Sequence, residues 1–409
     1  MKSFEIPEFY RSPLITSIKQ KRKQQDKLKK DFEPTHLDFG VMEIFLARHF
    51  GFCYGVENAI EIAFKTVYEN PGKRIFLLSE MIHNPQVNKD LKESGVQFIM
   101  NTVGQMYIEW SDLKSDDIVI IPAFGTTIET ENRLKSLGIS PLEYNTTCPF
   151  VQKVWNRSEQ IGRKGYTVVI HGKPLHEETR ATFSHSSSNA PSVIVKDIYE
   201  AMKLAKYIKK EVPLPAFYDE FKGQYSKDFD VMKHLERIGV VNQTTMLATE
   251  TQEIADYLKN IMCEHYSLED KNIAERFADT RDTLCYATTD NQSAVKGLLN
   301  VDADMALVVG GYNSSNTSHL VELCEEKLIT YYIENETKIL SKNAISHYDM
   351  HKKEIKLTEN YFPQNEKPKI LITSGASCPD AVVEKVIEKL LSFYNKESDI
   401  QKIAESFYN

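Results

Sequence analysis

From position 41 onward, short apolar runs alternate with stretches in which apolar residues recur every three to four positions, as strands and amphipathic helices do in βα units. The runs at 41–46, 74–82, 118–121, 166–170, 238–241, 306–309 and 369–372 predict strands. Six close on small or polar residues: His83-Asn84, Pro122-Ala-Phe-Gly-Thr-Thr127, His171-Gly-Lys173, Asn242-Gln-Thr-Thr245, Gly310-Gly-Tyr-Asn-Ser-Ser-Asn316 and Thr373-Ser-Gly-Ala-Ser377. The pattern predicts an α/β protein with small parallel sheets. In such sheets ligands bind beyond the carboxyl ends of the strands, so these six ends suggest one shared polar cavity. Turns need Gly, Ser, Thr and Asn in any case, so no single loop decides this.

The remaining strand end is different. The run at 41–46 leads to Gly51-Phe-Cys53-Tyr-Gly55, and a helical pattern follows directly. A thiol on a strand-to-helix turn sits near unpaired backbone N–H groups, which favour thiolate, the form that binds metal or attacks as a nucleophile. The arrangement recurs at Thr147-Cys148-Pro149 and at Asp282-Thr-Leu-Cys285-Tyr286, each before a helical pattern. Three turns of one kind predict three α/β domains with pseudo-threefold symmetry: 41–147, 148–284 and 285–395, with 41–53 alternatively packing on the third. Around them we expect a basic N-terminal extension (1–40), an insertion near 187–237 forming surface elaboration, and a C-terminal tail (396–409).

Composition narrows the function. With 409 residues, 41% hydrophobic and 26% charged, and a net charge of −8, the chain reads as an ordinary soluble protein with no nucleic-acid signature. It has no apolar run of membrane-spanning length and no signal-peptide core, which predicts a cytoplasmic protein without a membrane partner. A plastid or other organelle stays open for a eukaryotic source, although no clear transit peptide is present. Between Lys19 and Lys30 seven basic residues face a single acid, Asp26, which reads as a solvated helix or a mobile arm. Six cysteines over this length do not form a secreted disulfide framework and favour metal ligation or catalysis.

Cys53, Cys148 and Cys285 lack the CxxC pairing of zinc ribbons, although zinc stays possible. A 4Fe-4S cluster usually takes four thiolates, so three would leave one iron open to substrate. Cys263 and Cys324 fit helical apolar positions. The stretch His171-Gly-Lys-Pro-Leu-His176-Glu-Glu178 offers imidazoles and carboxylates beyond a strand end, suited to proton delivery and anion binding. With His83, the Asn313–Asn316 loop and Ser377, it could hold a diphosphate without a Walker loop, which the sequence lacks. A dinucleotide fingerprint is also missing, so electrons would come from a partner protein.

These residues resemble the 4-hydroxy-3-methylbut-2-enyl diphosphate reductase family, in its plant and cyanobacterial branch. Gly51-Phe-Cys-Tyr-Gly-Val56, His83-Asn84, Thr147-Cys-Pro149, His176-Glu-Glu178, Gln243-Thr-Thr245, Cys285-Tyr-Ala-Thr-Thr289, Asn313-Ser-Ser-Asn316 and Gly375-Ala-Ser377 occur in the family's order. The resemblance implies a trefoil of three α/β domains around one 4Fe-4S cluster held by Cys53, Cys148 and Cys285. It implies that His83, His176, Ser314, Ser315, Asn316 and Ser377 grip the substrate diphosphate, with the substrate hydroxyl at the open iron and Thr244 and Glu178 beside it. Glu178 would be the proton source, a ferredoxin- or flavodoxin-type protein the electron donor, and isopentenyl and dimethylallyl diphosphate the products of this last step of the non-mevalonate isoprenoid pathway. Many bacterial members carry a histidine where this chain has Phe124; Thr126, Thr127 or Lys173 is expected to replace it. A three-cysteine dehydratase of the quinolinate synthase kind is the nearest alternative.

Overall fold

A computed structural model describes residues 4–28, 30–278 and 283–408. Lys29 of the basic stretch and Asp282, in the loop before Cys285, lie outside the described residues. Two compact units are present. The first comprises Met1–Glu61, Ile82–Asn88 and Tyr286–Asn409, and the second Ile62–Met81 and Lys89–Cys285.

The first unit is built on a five-stranded sheet. Thr35–Asp38 pairs antiparallel with Glu43–Leu46, and then Lys369–Ser374, Met305–Val309 and Thr330–Ile333 follow in parallel register. The parallel members are apolar throughout, as sheets covered on both faces require: Leu307, Val308, Val309, Ile370, Leu371 and Ile372 are fully buried. An antiparallel hairpin, Ala344–Asp349 with Glu354–Glu359, completes this unit's strands.

The N-terminal stretch forms a helix that is docked at its start and keeps its basic part at the surface, as expected of a solvated helix. Pro13–Gln25 is a helix capped by Ser12, whose hydroxyl accepts from Ile15 N–H at 2.9 Å. Leu14, Ile15 and Ile18 are buried, while the basic residues occupy the remaining surface. Lys19 pairs with Asp380 at 2.7 Å, and Arg22 with Asp31 at 2.6 Å. Charge density alone concealed a narrow apolar stripe.

The second unit holds two parallel sheets. Ile75–Leu77 lies between Gln97–Phe98 and Ile118–Ile120. The other runs Ser192–Val195, Thr167–His171, Ile238–Asn242, Phe277–Ala278. Residues 187–237 are not surface elaboration. They supply the strand Ser192–Val195, the helix Ile198–Ile208 and an aromatic core in which the Phe217 ring stacks on Phe221 at 5.0 Å and on Phe229 at 5.2 Å. Charged residues between these aromatics mask the burial when the segment is read by composition. Among the described residues, no helix is long and apolar enough to cross a membrane.

Candidate active site

All three proposed ligand cysteines stand at helix N-termini. Cys53 precedes the helix Tyr54–Glu69, Cys148 caps Pro149–Arg163, and Cys285 precedes Tyr286–Leu298. Each backbone N–H donates to a loop beyond the end of a parallel strand: Cys53 to Ala376 O at 3.3 Å, Cys148 to Ala123 O at 2.9 Å, and Cys285 to Thr244 O at 3.3 Å. These loops follow Lys369–Ser374, Ile118–Ile120 and Ile238–Asn242 respectively. Three unlike sequences thus use one device to fix a thiol beside a strand end.

In the second unit, burial pushes the Cys148 thiol up to about 11, and the nearby Cys285 adds to the shift. The expected thiolate bias of the helix terminus is therefore outweighed. Desolvation penalises the anion more than the N–H groups of Phe150 and Val151 favour it. The Cys148 thiol therefore keeps its proton until a cation arrives, because a coordinating metal deprotonates its thiol outright.

Glu178 is buried at the start of the helix Glu177–Ser187. Its carboxyl accepts from Thr244 N–H at 2.6 Å and from Thr244 Oγ1 at 3.0 Å. A hydroxyl can donate or accept, so this contact accommodates both the protonated and the ionised carboxyl. The Glu178 N–H donates to His176 Nδ1 at 3.1 Å, which leaves the proton of a neutral imidazole on Nε2. Glu177 faces elsewhere and takes a hydrogen bond from Ser79.

Gln243, fully buried, ties the surrounding loops. Its Oε1 accepts from Lys173 N–H at 3.2 Å and Thr179 Oγ1 at 2.9 Å, and its Nε2 donates to Thr245 Oγ1 at 2.8 Å. Sequence reasoning placed Gln243 in a motif without seeing this role, which exists only once its loop meets the Lys173 loop and the helix Glu177–Ser187. His171 is not part of the acid cluster. It is buried with Nδ1 at 3.0 Å from Thr251 Oγ1 and Nε2 at 3.7 Å from Glu250, toward the helix Ala248–Tyr266.

The Phe124 ring meets His176 edge-on at 5.7 Å. Its loop is pinned at Gly125, where φ is +75° and a Cβ would collide with the Trp155 ring. Thr127 Oγ1 caps the helix Ile128–Ser136 by accepting from Thr130 N–H at 3.3 Å, and the Thr126 carbonyl is hydrogen-bonded to His185 Nε2 at 3.1 Å. The Thr127 hydroxyl thus has a capping task, whereas the contact at Thr126 is made by its backbone.

In the first unit, His83, Ser314, Ser315, Asn316 and Ser377 are buried. The Ser377 hydroxyl donates to His83 O at 3.2 Å, and a Cβ on Gly311 would collide with that same carbonyl. Ser314 caps the helix Ser315–Glu325, accepting from Thr317 N–H at 3.3 Å, so the Ser315 and Asn316 N–H groups stand at an anion-binding terminus. Asn316 Oδ1 accepts from Ala376 N–H at 2.9 Å and Asn291 Nδ2 at 3.5 Å. This fixes the amide and leaves the buried Asn316 Nδ2 with no acceptor among the described residues. A buried donor without a partner costs about 1–3 kcal/mol, which a bound anion would offset.

Thr317, which sequence reasoning missed, lies under this loop cluster. It is fully buried, its hydroxyl bonds Ser314 Oγ at 3.0 Å, and a Cβ on Gly375 would collide with that oxygen. Gly375→Ala is expected to lower stability by about 1–3 kcal/mol, as overpacking does, and thermal unfolding measures it. A melting temperature equal to wild type would show that the loop is not locked by Thr317.

The remaining cysteines behave as core. Burial pushes Cys324 and Cys378 each to about 12, and Cys263 lies within the helix Ala248–Tyr266. Among the described residues no group of three His, Cys, Asp or Glu is gathered as for a single metal ion. A cluster whose thiolates bind different irons does not require such a group.

Comparison with known proteins identifies the family. The chain matches the model of the LytB protein family over residues 44–391. It is 40% identical to the 4-hydroxy-3-methylbut-2-enyl diphosphate reductase of Picosynechococcus sp., over 86% of this chain and 85% of the relative. With the reductase of Prochlorococcus marinus it shares 37% identity over 96% of this chain and 95% of the relative. A solved structure of (E)-4-hydroxy-3-methyl-but-2-enyl diphosphate reductase, described as the terminal enzyme of the non-mevalonate pathway, aligns at 25% identity. Its TM-score is 0.50, covering 85% of this chain and 99% of the other. The Plasmodium falciparum reductase, at 22% identity, shares the fold with a TM-score of 0.61 over 85% of this chain and 87% of its own. With most of its length matched by the family model and by relatives of this identity, the chain belongs to the LytB protein family.

Proposed function

We infer that the chain is an oxidoreductase that removes the hydroxyl of 4-hydroxy-3-methylbut-2-enyl diphosphate, giving isopentenyl and dimethylallyl diphosphate as the last step of the non-mevalonate pathway. The observation that carries the reading is Glu178, a buried carboxyl gripped twice by Thr244, whose own carbonyl holds the Cys285 backbone. Net reduction consumes two electrons and two protons for each water released, so a positioned proton donor beside a redox centre is what the chemistry needs. The quinolinate synthase kind of dehydratase is not favoured, since the relatives named above are all reductases.

Cys53, Cys148 and Cys285 are the proposed ligands of a 4Fe-4S cluster. The donor set fits: the Cys148 thiol, held protonated by burial with Cys285 nearby, and Cys53 and Cys285 on equivalent turns, suit a cationic group. When bound, such a cluster supplies electrons and one iron without a protein ligand. The recurring cysteine device supports the reading of three domains at 41–147, 148–284 and 285–395.

The chain's own groups then divide the work. Asn316 Nδ2, the helix terminus at Ser315, the hydroxyls of Ser314 and Ser377, and His83 bind the diphosphate, together with His176 donating from Nε2. Phe124 holds the His176 ring edge-on where many bacterial members carry a further histidine, and Lys173, Thr126 or Thr127 is the candidate to replace that donor. Thr244 keeps the Glu178 carboxyl oriented through loss and recovery of its proton. A ferredoxin- or flavodoxin-type protein delivers the electrons.

Anaerobic reconstitution with iron and sulfide, followed by substrate and a strong artificial reductant, tests the reading. We expect oxidation of the reductant only when substrate is added, with both allylic products formed. Reductant consumption independent of substrate, or a protein that takes up no iron, would remove it.

A further inference from the structure

We propose that residues 4–19, which precede the span of the family model, form a clasp that sets the turn carrying Cys53, with Phe4, Tyr10 and Lys19 as positioning residues. The proposal rests on the reading of Cys53 as a cluster ligand. The turn runs Phe50-Gly51-Phe52-Cys53-Tyr54, and the clasp reaches each residue flanking the cysteine. Phe4 meets Tyr54 edge-on at 4.9 Å between centroids, and Tyr10 meets Phe52 at 5.7 Å. The Lys19 ammonium lies 4.9 Å from the centroid of the Phe50 ring. At Gly51, where φ is +78°, a Cβ would collide with the Asp380 carboxylate that Lys19 grips at 2.7 Å.

The clasp is itself anchored. Tyr10, Leu14, Ile15 and Ile18 are buried, Arg11 Nη2 donates to Phe4 O at 3.0 Å, and the Glu5 N–H donates to Glu61 Oε1 at 2.9 Å. Three aromatic rings on one short turn would otherwise have several ways to pack. Each alternative moves the thiol, and a ligand must be held within a fraction of an ångström to serve its site. The clasp selects one packing by giving Phe50, Phe52 and Tyr54 each a partner of defined geometry. A segment outside the span of the family model thereby acts on the proposed metal site through the residues beside its ligand, as outer contacts do for metal ligands generally.

The test uses full-length wild type, Tyr10→Ala, Tyr10→Phe and Lys19→Met, prepared without oxygen. Iron release to a chelator is followed in cluster-loaded protein, and iodoacetamide labelling of each cysteine is followed by peptide mass spectrometry once iron has been removed. Tyr10→Ala and Lys19→Met are expected to speed iron release about 10- to 100-fold. They are also expected to speed labelling at Cys53 alone, with Cys148, Cys263 and Cys285 at wild-type rates and Tyr10→Phe near wild type. Unchanged Cys53 labelling overturns the clasp, and so does a parallel rise at all four cysteines, which reports a general loosening. Should wild type bind no cluster, the ligand reading fails, and the Cys53 labelling rates still decide whether the clasp sets the turn.

Discussion

Glu178→Gln is expected to lower turnover by about 10²- to 10⁴-fold, the usual worth of a positioned general acid, while KM and iron content stay near wild type. The amide is nearly isosteric. Its oxygen can accept from Thr244 N–H and its NH₂ can donate to Thr244 Oγ1, so the buried contacts at 2.6 and 3.0 Å are kept in altered polarity. What is lost is the ability to give up and regain a proton. A fall in kcat with KM unchanged marks an interaction made only in the transition state, whereas a rise in KM would mark a binding group. Steady-state kinetics with a chemical reductant, with iron assayed on the same samples, separates these cases. Turnover within a few-fold of wild type would remove Glu178 as the proton source and turn attention to water or to the substrate's own diphosphate.

Why was this residue legible from sequence when others were not? Glu178 follows a strand end by a few positions and sits in a stretch that also carries His176, so local order brings the chemistry together before any folding is considered. The cysteine turns are legible for the same reason, since Gly51 and Gly55 or Pro149 mark a strand-to-helix turn within a few residues. Properties that depend on distant partners were hidden. The raised proton affinity of Cys148 comes from burial and from Cys285, neither of which its neighbours in sequence reveal. Thr317 acquires its role only because Gly310 and Gly375, on two different loops, both come close enough to exclude a Cβ.

The docked start of the N-terminal helix was hidden by the charge that follows it. Leu14, Ile15 and Ile18 make a short apolar patch just before the seven cations, too small to show when composition is averaged, yet enough to dock the start of a helix. Residues 187–237 failed similarly, with Phe217, Phe221 and Phe229 separated by charged residues that the fold turns outward. In both places the pattern was present and its amplitude low, and tertiary burial decided the outcome.

Serine in place of Cys53, Cys148 or Cys285 is expected to strip most of the iron from anaerobically prepared protein, whereas Cys263→Ser leaves iron at the wild-type level. The hydroxyl is a far poorer donor than a thiolate to iron–sulfur clusters, and no neighbouring thiol is placed to substitute. Cys324 and Cys378 are fully buried core residues with thiols pushed to about 12, and Cys263 is committed to the helix Ala248–Tyr266. The pH dependence of loading gives a second readout with a definite sign. Before iron arrives, the Cys148 thiol sits at about 11 and is protonated at neutral pH, so ligation must displace that proton. Acidification adds proton competition, and reconstitution should therefore weaken as pH falls and improve toward mild alkalinity. Because burial is the main cause of the shift, the trend should persist in Cys285→Ala, with the Cys148 thiol somewhat easier to ionise once its neighbour is gone. Iron measured per chain by colorimetry, with the visible absorbance of the cluster, follows both effects. Equal iron loss in all four serine variants would contradict the three-ligand assignment, since a residue on a packed helix would then matter as much as the three that share the same backbone anchor.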